Sequence, residues 1–293
     1  MRHRVLIIVN PAAGGSRFAV RRLRRVIAAL ERRGCTVVLR HASAQPGDVE
    51  RLAREAEPDF EAIVAAGGDG TVNAVVNGLA GAPREVALLR LGTANLLARE
   101  IGLPRQAERL AELIATAPAQ PIWPGQVDGR LFVMMASTGF DAETVAGVDP
   151  RLKRYIGRLA FIWAMLVRLW HYRPCELVVE ADGAEHRAAG LIAAKGRFYA
   201  GPFTVAPRAN PADPVLDLVL FHRAGRMAIL GYAAALLLGR LPRSKHVTML
   251  RAGSVIVSGS HNLPVQADGE IVGQLPAMIG IAERPLLLIR PPP

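Results

Sequence analysis

Glycines crowd one aspartate in the run Gly67-Gly68-Asp69-Gly70-Thr71, the densest chemical signal in the chain. Glycine lets the backbone adopt positive φ and lets a phosphate approach closely. Where such a turn opens a helix, the unpaired N–H groups of the first turn attract anions. An aspartate there repels phosphate unless a cation lies between them, so Asp69 points to a Mg²⁺-bound nucleotide. The plainer alternative is an N-cap on a tight turn. Two more turns share this texture, Asn10-Pro11 through Gly14-Gly15-Ser16-Arg17 and Gly92-Thr93-Ala94-Asn95. Far downstream, Asp268-Gly269-Glu270 places carboxylates on either side of a glycine. By residue type alone that triplet is a hairpin turn. Neither GxxxxGK[ST] nor GxGxxG occurs, which disfavours a P-loop nucleotidase or an ordinary dehydrogenase.

The elements that must position these turns alternate between strand and helix over the first 120 or so residues. Val5–Val9, Thr36–Leu39, Ile63–Ala66 and Val86–Leu91 are short apolar runs, as expected of strands buried on both faces. Between them, Leu23, Val26, Ile27 and Leu30 fall at helical spacing, as do Val49, Leu52, Ala53 and Ala56, and then Val72, Val75, Val76 and Leu79. Alternating strands and helices predict a parallel α/β sheet with ligands outside the carboxyl ends of its strands. Proline-rich Pro118–Pro124 reads as a boundary. Beyond it, Val127-Asp128-Gly129-Arg130 is a hairpin signal, and short strands follow at Glu176–Glu180, Ala189–Ala194, Leu216–Phe221, Ser254–Ser258 and Leu286–Ile289. Helical stretches around Tyr155–Trp170 and Met227–Leu238 interrupt them.

The chain has 293 residues, a net charge of +11 and two cysteines. Such a basic surface favours anionic partners, although arginine supplies nearly all of it. Cys35 and Cys175 make neither a disulfide framework nor a cysteine zinc site, and a reducing cytoplasm is the default expectation. The histidines are scattered without ligand spacing. No apolar run approaches the roughly 20 residues of a membrane span, so a soluble or peripheral protein is expected.

Taken together, these motifs resemble the diacylglycerol kinase catalytic family, which includes bacterial lipid kinases and the sphingosine and ceramide kinases. The resemblance runs through Gly47-Asp48, Gly67–Asn73, Asn77-Gly78-Leu79 and Gly92–Asn95, then Gly139-Phe140-Asp141-Ala142, Tyr199–Phe203, Ala206-Pro207 and Val265–Pro276. GGDGT alone is shared with the NAD kinases of the same superfamily. It is Gly-Thr-Ala-Asn with the late Asp-Gly-Glu that is similar to the lipid-kinase branch.

The resemblance implies an N-terminal Rossmann-like parallel α/β nucleotide-binding domain over 1–122, then a β-rich, sandwich-like domain over 123–283. The strand near 284–293 is expected to return to the first domain. ATP and Mg²⁺ are the implied cosubstrate and metal, handled by Asp69 with Gly67, Gly68, Gly70, Thr71, Gly92, Thr93, Asn95 and Asn10. Asp268 is implied as the general base, with Glu270 beside it. The implied reaction phosphorylates a lipid hydroxyl, diacylglycerol by default, at an anionic membrane surface. An NAD kinase and a non-catalytic nucleotide- or lipid-binding protein stand as the alternatives. No nucleic-acid reader motif is present, and homodimer formation is left open.

Several positions depart from the family pattern. Leu96 stands where many members have aspartate, Arg90 where a proline is frequent, and Lys195 where asparagine is frequent. An Asp-Gly pair that supports a structural metal in the family is Asp213-Pro214 here, leaving Asp213 as the metal candidate. Tyr155, Phe161, Trp163 and Trp170, with arginines at 151–158, fit two readings: an interfacial lid for acyl chains, or a core helix.

Overall fold

The computed structural model describes residues 1–11, 17–43, 45–148, 159–172, 174–259 and 263–292. The turn at 12–16, His261, Tyr155 and its neighbouring arginines lie outside the described residues, as does the side chain of Phe161. The chain divides into two compact units, Met1–Ile122 with Glu283–Pro293, and Trp123–Ala282.

In the first unit, β1 (Arg4–Val9), β2 (Thr36–His41), β3 (Ala62–Gly67), β4 (Glu85–Arg90) and β5 (Ala119–Ile122) share a sheet with the return strand Leu286–Ile289. The order is β2-β1-β3-β4-return-β5. Only β5 runs antiparallel to its neighbour. β3 is buried at every position and β1 at all but its first, which is why both read as unbroken apolar runs. The helices are α1 (Arg17–Glu31), α2 (Asp48–Arg54), α3 (Asp69–Leu79), α4 (Leu96–Glu100) and α5 (Ala107–Thr116). α3 packs tightly on α2 at Gly78, where an added Cβ would lie 2.9 Å from the Ala53 Cβ. α5 and β5 are additions to the sequence reading. α5 buries Leu110, Ala111, Ile114 and Ala115, and β5 lies inside the proline-rich boundary segment.

The second unit is a sandwich of two antiparallel six-stranded sheets. One is ordered Ala184–Ala188, Leu177–Ala181, Ser254–Gly259, Ala277–Ile281, Gly125–Val127, Arg130–Phe132. The other is ordered Val247–Ala252, Leu216–Phe221, Gly190–Ala194, Met135–Gly139, Pro264–Ala267, Glu270–Gln274. Phe132, Leu177, Val179, Val255 and Ile279 of the first sheet share a core with Leu191, Leu216, Leu218 and Val265 of the second. A smaller cluster, with Met135, Ile192 and Val219, forms on the second sheet's other side and includes Val205 and Leu241. The expected hairpin at 128–129 is present, with Asp128 at φ 47 and Gly129 at φ 88.

Among the described residues, three α-helices accompany these sheets: α6 (Phe140–Ala146), α7 (Leu159–Trp170) and α8 (Arg226–Leu237). Of the two readings of Tyr155–Trp170, the described part of α7 bears on how far its residues enter a core. Ala164 is buried, but Trp163 and Trp170 are 59% and 72% exposed.

Candidate functional site

In the first unit the Gly67–Thr71 turn joins β3 to α3, and the fit is steric. A Cβ on Gly92 would lie 2.5 Å from the Gly68 Cα, and one on Gly67 would overlap the Thr71 hydroxyl. The two turns approach this closely because position 92 is glycine, whereas a Cβ on Gly68 would meet the Gly92 Cα at an ordinary 3.5 Å. The Gly67 carbonyl accepts from the Leu91 and Gly92 N–H groups at 2.8 and 3.1 Å. Asp69 Oδ1 accepts from the Leu96 N–H at 2.6 Å, and Asn95 Nδ2 donates to the Gly92 carbonyl at 2.5 Å. Asn10 completes the array at the end of β1, its N–H donating to Ala66 of β3 at 3.1 Å.

The N-cap of α3, Gly68, brings no capping side chain of its own, and Gly70 is exposed. Those are conditions for an anion at a helix N-terminus. Arg90 is in register with Gly67 across the sheet. It donates to the Leu103 carbonyl at 3.0 Å, and burial, then Arg22 and Arg105, lower its pKa. The residues therefore fit a phosphate-bearing ligand. Thr93 is exposed beside this turn, whereas Thr71 is 2% exposed and lies over Gly67, where it shapes the turn. Among the described residues no cluster of three His, Cys, Asp or Glu forms a metal cage.

In the second unit, Asp268 and Gly269 form the tight turn between Pro264–Ala267 and Glu270–Gln274, with φ 49 and 87. The Asp268 carboxylate accepts three backbone N–H bonds, from Val133 at 2.7 Å, Met134 at 2.9 Å and Met135 at 3.0 Å. Its own N–H donates to the Met135 carbonyl at 2.9 Å. The side chain thus ties the turn to the entry of the Met135–Gly139 strand, while Glu270 is exposed.

Behind the turn lies a polar network that sequence reasoning did not assign. Gln266, 2% exposed, accepts from the Gly269 N–H at 2.8 Å through Oε1. Its Nε2 donates to Ser137 Oγ at 2.8 Å and to Asp141 Oδ2 at 3.2 Å. Ser137 and Tyr199 both donate to the Asp141 carboxylate through their hydroxyls. Burial, then the neighbouring Asp141 charge, raises the Tyr199 phenol well above its usual pKa. Asp141 and Tyr199 stand inside motif blocks quoted from the sequence, which was the available signal. Gln266 carried none.

Asp213 does not fit the expected metal. Its carboxylate pairs with Arg251 and accepts from Asn210 Nδ2 at 3.0 Å. Its backbone carbonyl accepts from Lys195 Nζ, which also donates to the Val215 carbonyl at 2.8 Å. Lys195 is 1% exposed. Burial lowers its pKa to about 8, against the opposing pull of Asp213 and Asp217. A lysine ammonium and a guanidinium already supply the positive charge at this loop, and a divalent ion would repel both.

A parallel α/β sheet with a glycine-lined turn at a helix start, and a β-sandwich carrying an Asp-Gly-Glu hairpin, make up the combination that the comparisons specify. Residues 4–127 match the diacylglycerol kinase catalytic domain, and 134–290 match the YegS C-terminal NAD kinase beta sandwich-like domain. The chain belongs to the diacylglycerol kinase family. A diacylglycerol kinase of Bacillus subtilis (strain 168) is 32% identical over 279 residues, covering 93% of this chain and 91% of the relative. A diacylglycerol kinase of Mycobacterium tuberculosis (strain H37Rv) is 29% identical over 297 residues, covering 98% and 95%. The crystal structure of a diacylglycerol kinase from Bacillus anthracis str. Sterne has the same fold, with a TM-score of 0.78 at 23% identity, covering 99% of this chain and 98% of that one.

Proposed function

We propose that the protein is an ATP-dependent lipid kinase that transfers the γ-phosphoryl group to a lipid hydroxyl, with diacylglycerol the default acceptor and phosphatidic acid the product. The observation that carries this reading is the Gly68–Gly92 contact with Asp69 fixed by Leu96, a turn shaped for a phosphate chain in a chain of this family. When bound, ATP would supply the phosphoryl group, and a Mg²⁺ held with the help of Asp69 would neutralise charge on its phosphates. The N–H groups at the start of α3 hold the phosphates, Gly67, Gly68 and Gly92 let the backbone come close, and Asn10, Thr93 and Asn95 line the ligand. Asp69 is a single carboxylate rather than a cage, which suits a cation shared with the nucleotide.

The proton leaving the acceptor hydroxyl passes to the Asp268–Glu270 turn. Asp268 is the base assigned by the resemblance, and Glu270 is the exposed carboxylate beside it. Gln266 and Asp141 hold that turn in place. The deciding experiment is ATP-dependent labelling of a total lipid extract, with NAD offered in a parallel reaction and the product identified by mass. Phosphatidic acid or another lipid phosphate, with NAD unlabelled, is the expected result. Labelled NAD overturns the lipid reading, and no transfer to either overturns the kinase reading.

A further inference from the structure

Two helices of the second unit turn apolar stripes towards solvent. On α7, Trp163, Leu166, Val167 and Trp170 recur at i, i+3, i+4 and i+7, and they are 59%, 51%, 41% and 72% exposed. α8 has no buried residue at all. Its inward side rests Tyr232, Ala235 and Leu236 against the smaller core cluster. Its outward side carries Met227, Leu230, Leu237 and, one residue beyond, Leu238, at 79%, 46%, 62% and 68% exposure. A surface helix ordinarily puts charge on that side. The stripes meet where α7 ends and α8 begins: Arg226 donates to the Trp170 carbonyl, and its guanidinium lies 5.5 Å from the Trp170 ring centroid.

Along α8 and the strand that follows it, the charges are of one sign. From 222 to 251 the chain carries Arg223, Arg226, Arg240, Arg243, Lys245 and Arg251 without a single Asp or Glu. Arg240, Arg243 and Lys245, just past α8, are exposed. An apolar face with exposed tryptophans and a fringe of cations matches the boundary of an anionic bilayer, where aromatic rings sit at headgroup level. A second copy of the chain fits poorly, because a two-fold interface would set this cationic fringe against itself.

We propose that the outward faces of α7 and α8 form the surface by which the protein docks on an anionic lipid bilayer. This deepens the lipid-kinase reading and rests on it for its purpose, though not for its geometry. The stripes enter the headgroup and acyl boundary while Arg240, Arg243 and Lys245 pair with lipid phosphates.

The test is co-sedimentation of the full chain, without ATP, with vesicles of phosphatidylcholine alone or mixed with phosphatidylglycerol. The proteins are wild type, Met227→Ser/Leu238→Ser, and Arg240→Glu/Arg243→Glu. These side chains are exposed, and near-ultraviolet circular dichroism with thermal melting confirms that the variants fold. Wild type is expected to pellet with the mixed vesicles. Each lost arginine should weaken binding by about five-fold, and the serine variant by about ten-fold or more. Turnover on a short-chain diacylglycerol in solution should be unchanged in all three proteins, and turnover on vesicle-borne substrate should fall with binding. Equal pelleting of wild type and variants overturns the proposal, as does failure of wild type to pellet. Concentration-dependent dimerisation that the serine variant abolishes, with vesicle binding intact, assigns the face to a second copy instead. Vesicle binding without lipid phosphorylation in either assay removes the kinase reading and leaves the docking surface standing.

Discussion

Both units place an aspartate in a glycine-bearing turn, but the two turns are built differently. The Asp69 turn is shaped by what glycine lacks, since a Cβ on Gly92 would meet the Gly68 backbone and one on Gly67 the Thr71 side chain. The Asp268 turn is shaped by what its side chain does, accepting three amides from residues more than 130 positions earlier. The first is a device of local stereochemistry at the start of a helix. The second is a long-range brace in which the candidate catalytic carboxylate also holds the fold. Binding and chemistry should therefore respond to mutation in opposite ways.

The largest expected effect is at the brace. Asp268→Asn should lower kcat by about 10²–10⁴ and leave ATP affinity unchanged. Because an amide NH₂ then faces backbone N–H donors, stability should fall with it, by about 1–3 kcal/mol. Lost turnover with an undisturbed melting curve would mean the brace is dispensable, and the contrast would shrink to chemistry alone. Next comes Gly92→Ala, whose new Cβ meets the Gly68 backbone. Overpacking typically costs about 1–3 kcal/mol, or about 10–100-fold in ATP affinity if the strain is relieved only by moving the turn. Isothermal titration that finds wild-type affinity would break the local half of the comparison.

The smallest effect is expected at Lys195, which belongs to neither turn and reports on the second unit's stability alone. Lys195→Met leaves the Asp213 and Val215 carbonyls without their donor, and should destabilise by about 1–3 kcal/mol at neutral pH without altering ATP binding. The lysine is depressed to about 8 from an ordinary 10.5. Between those values the unfolded chain holds a proton that the folded protein has released, so stability rises with pH across that window. Denaturant melts over the same range should show the rise in wild type and lose it in the methionine variant. Identical slopes would mean that Lys195 does not titrate there.

The same contrast explains what the sequence made legible. β1, β3 and β4 read as apolar runs because a parallel sheet buries both faces of each strand. The Gly67–Thr71 turn could be placed because its glycines and its strand are neighbours in the chain. β5 was hidden by Pro121, which a central strand would exclude and an edge strand tolerates. In the sandwich, the Asp-Gly pairs at 128–129 and 268–269 announced their hairpins. No local pattern could announce that Asp268 binds the amides of 133–135, or that Gln266 joins that turn to Asp141. The aromatic run of α7 left a lid and a core helix both open, and only the fold reveals that Trp163 and Trp170 face outward. Asp213 shows the same limit, since its neighbours Lys195 and Arg251 come from separate strands.

The return strand Leu286–Ile289 lies between β4 and β5 although all of Trp123–Ala282 intervenes in the chain. During synthesis, β4 emerges with one edge unpaired and keeps it so until the whole sandwich has been translated. The sandwich is contiguous and can close first, whereas the nucleotide-type sheet waits for a segment made afterwards. A chain ended before residue 286 would thus carry a complete sandwich and an unfinished sheet whose open β4 edge invites pairing with other chains.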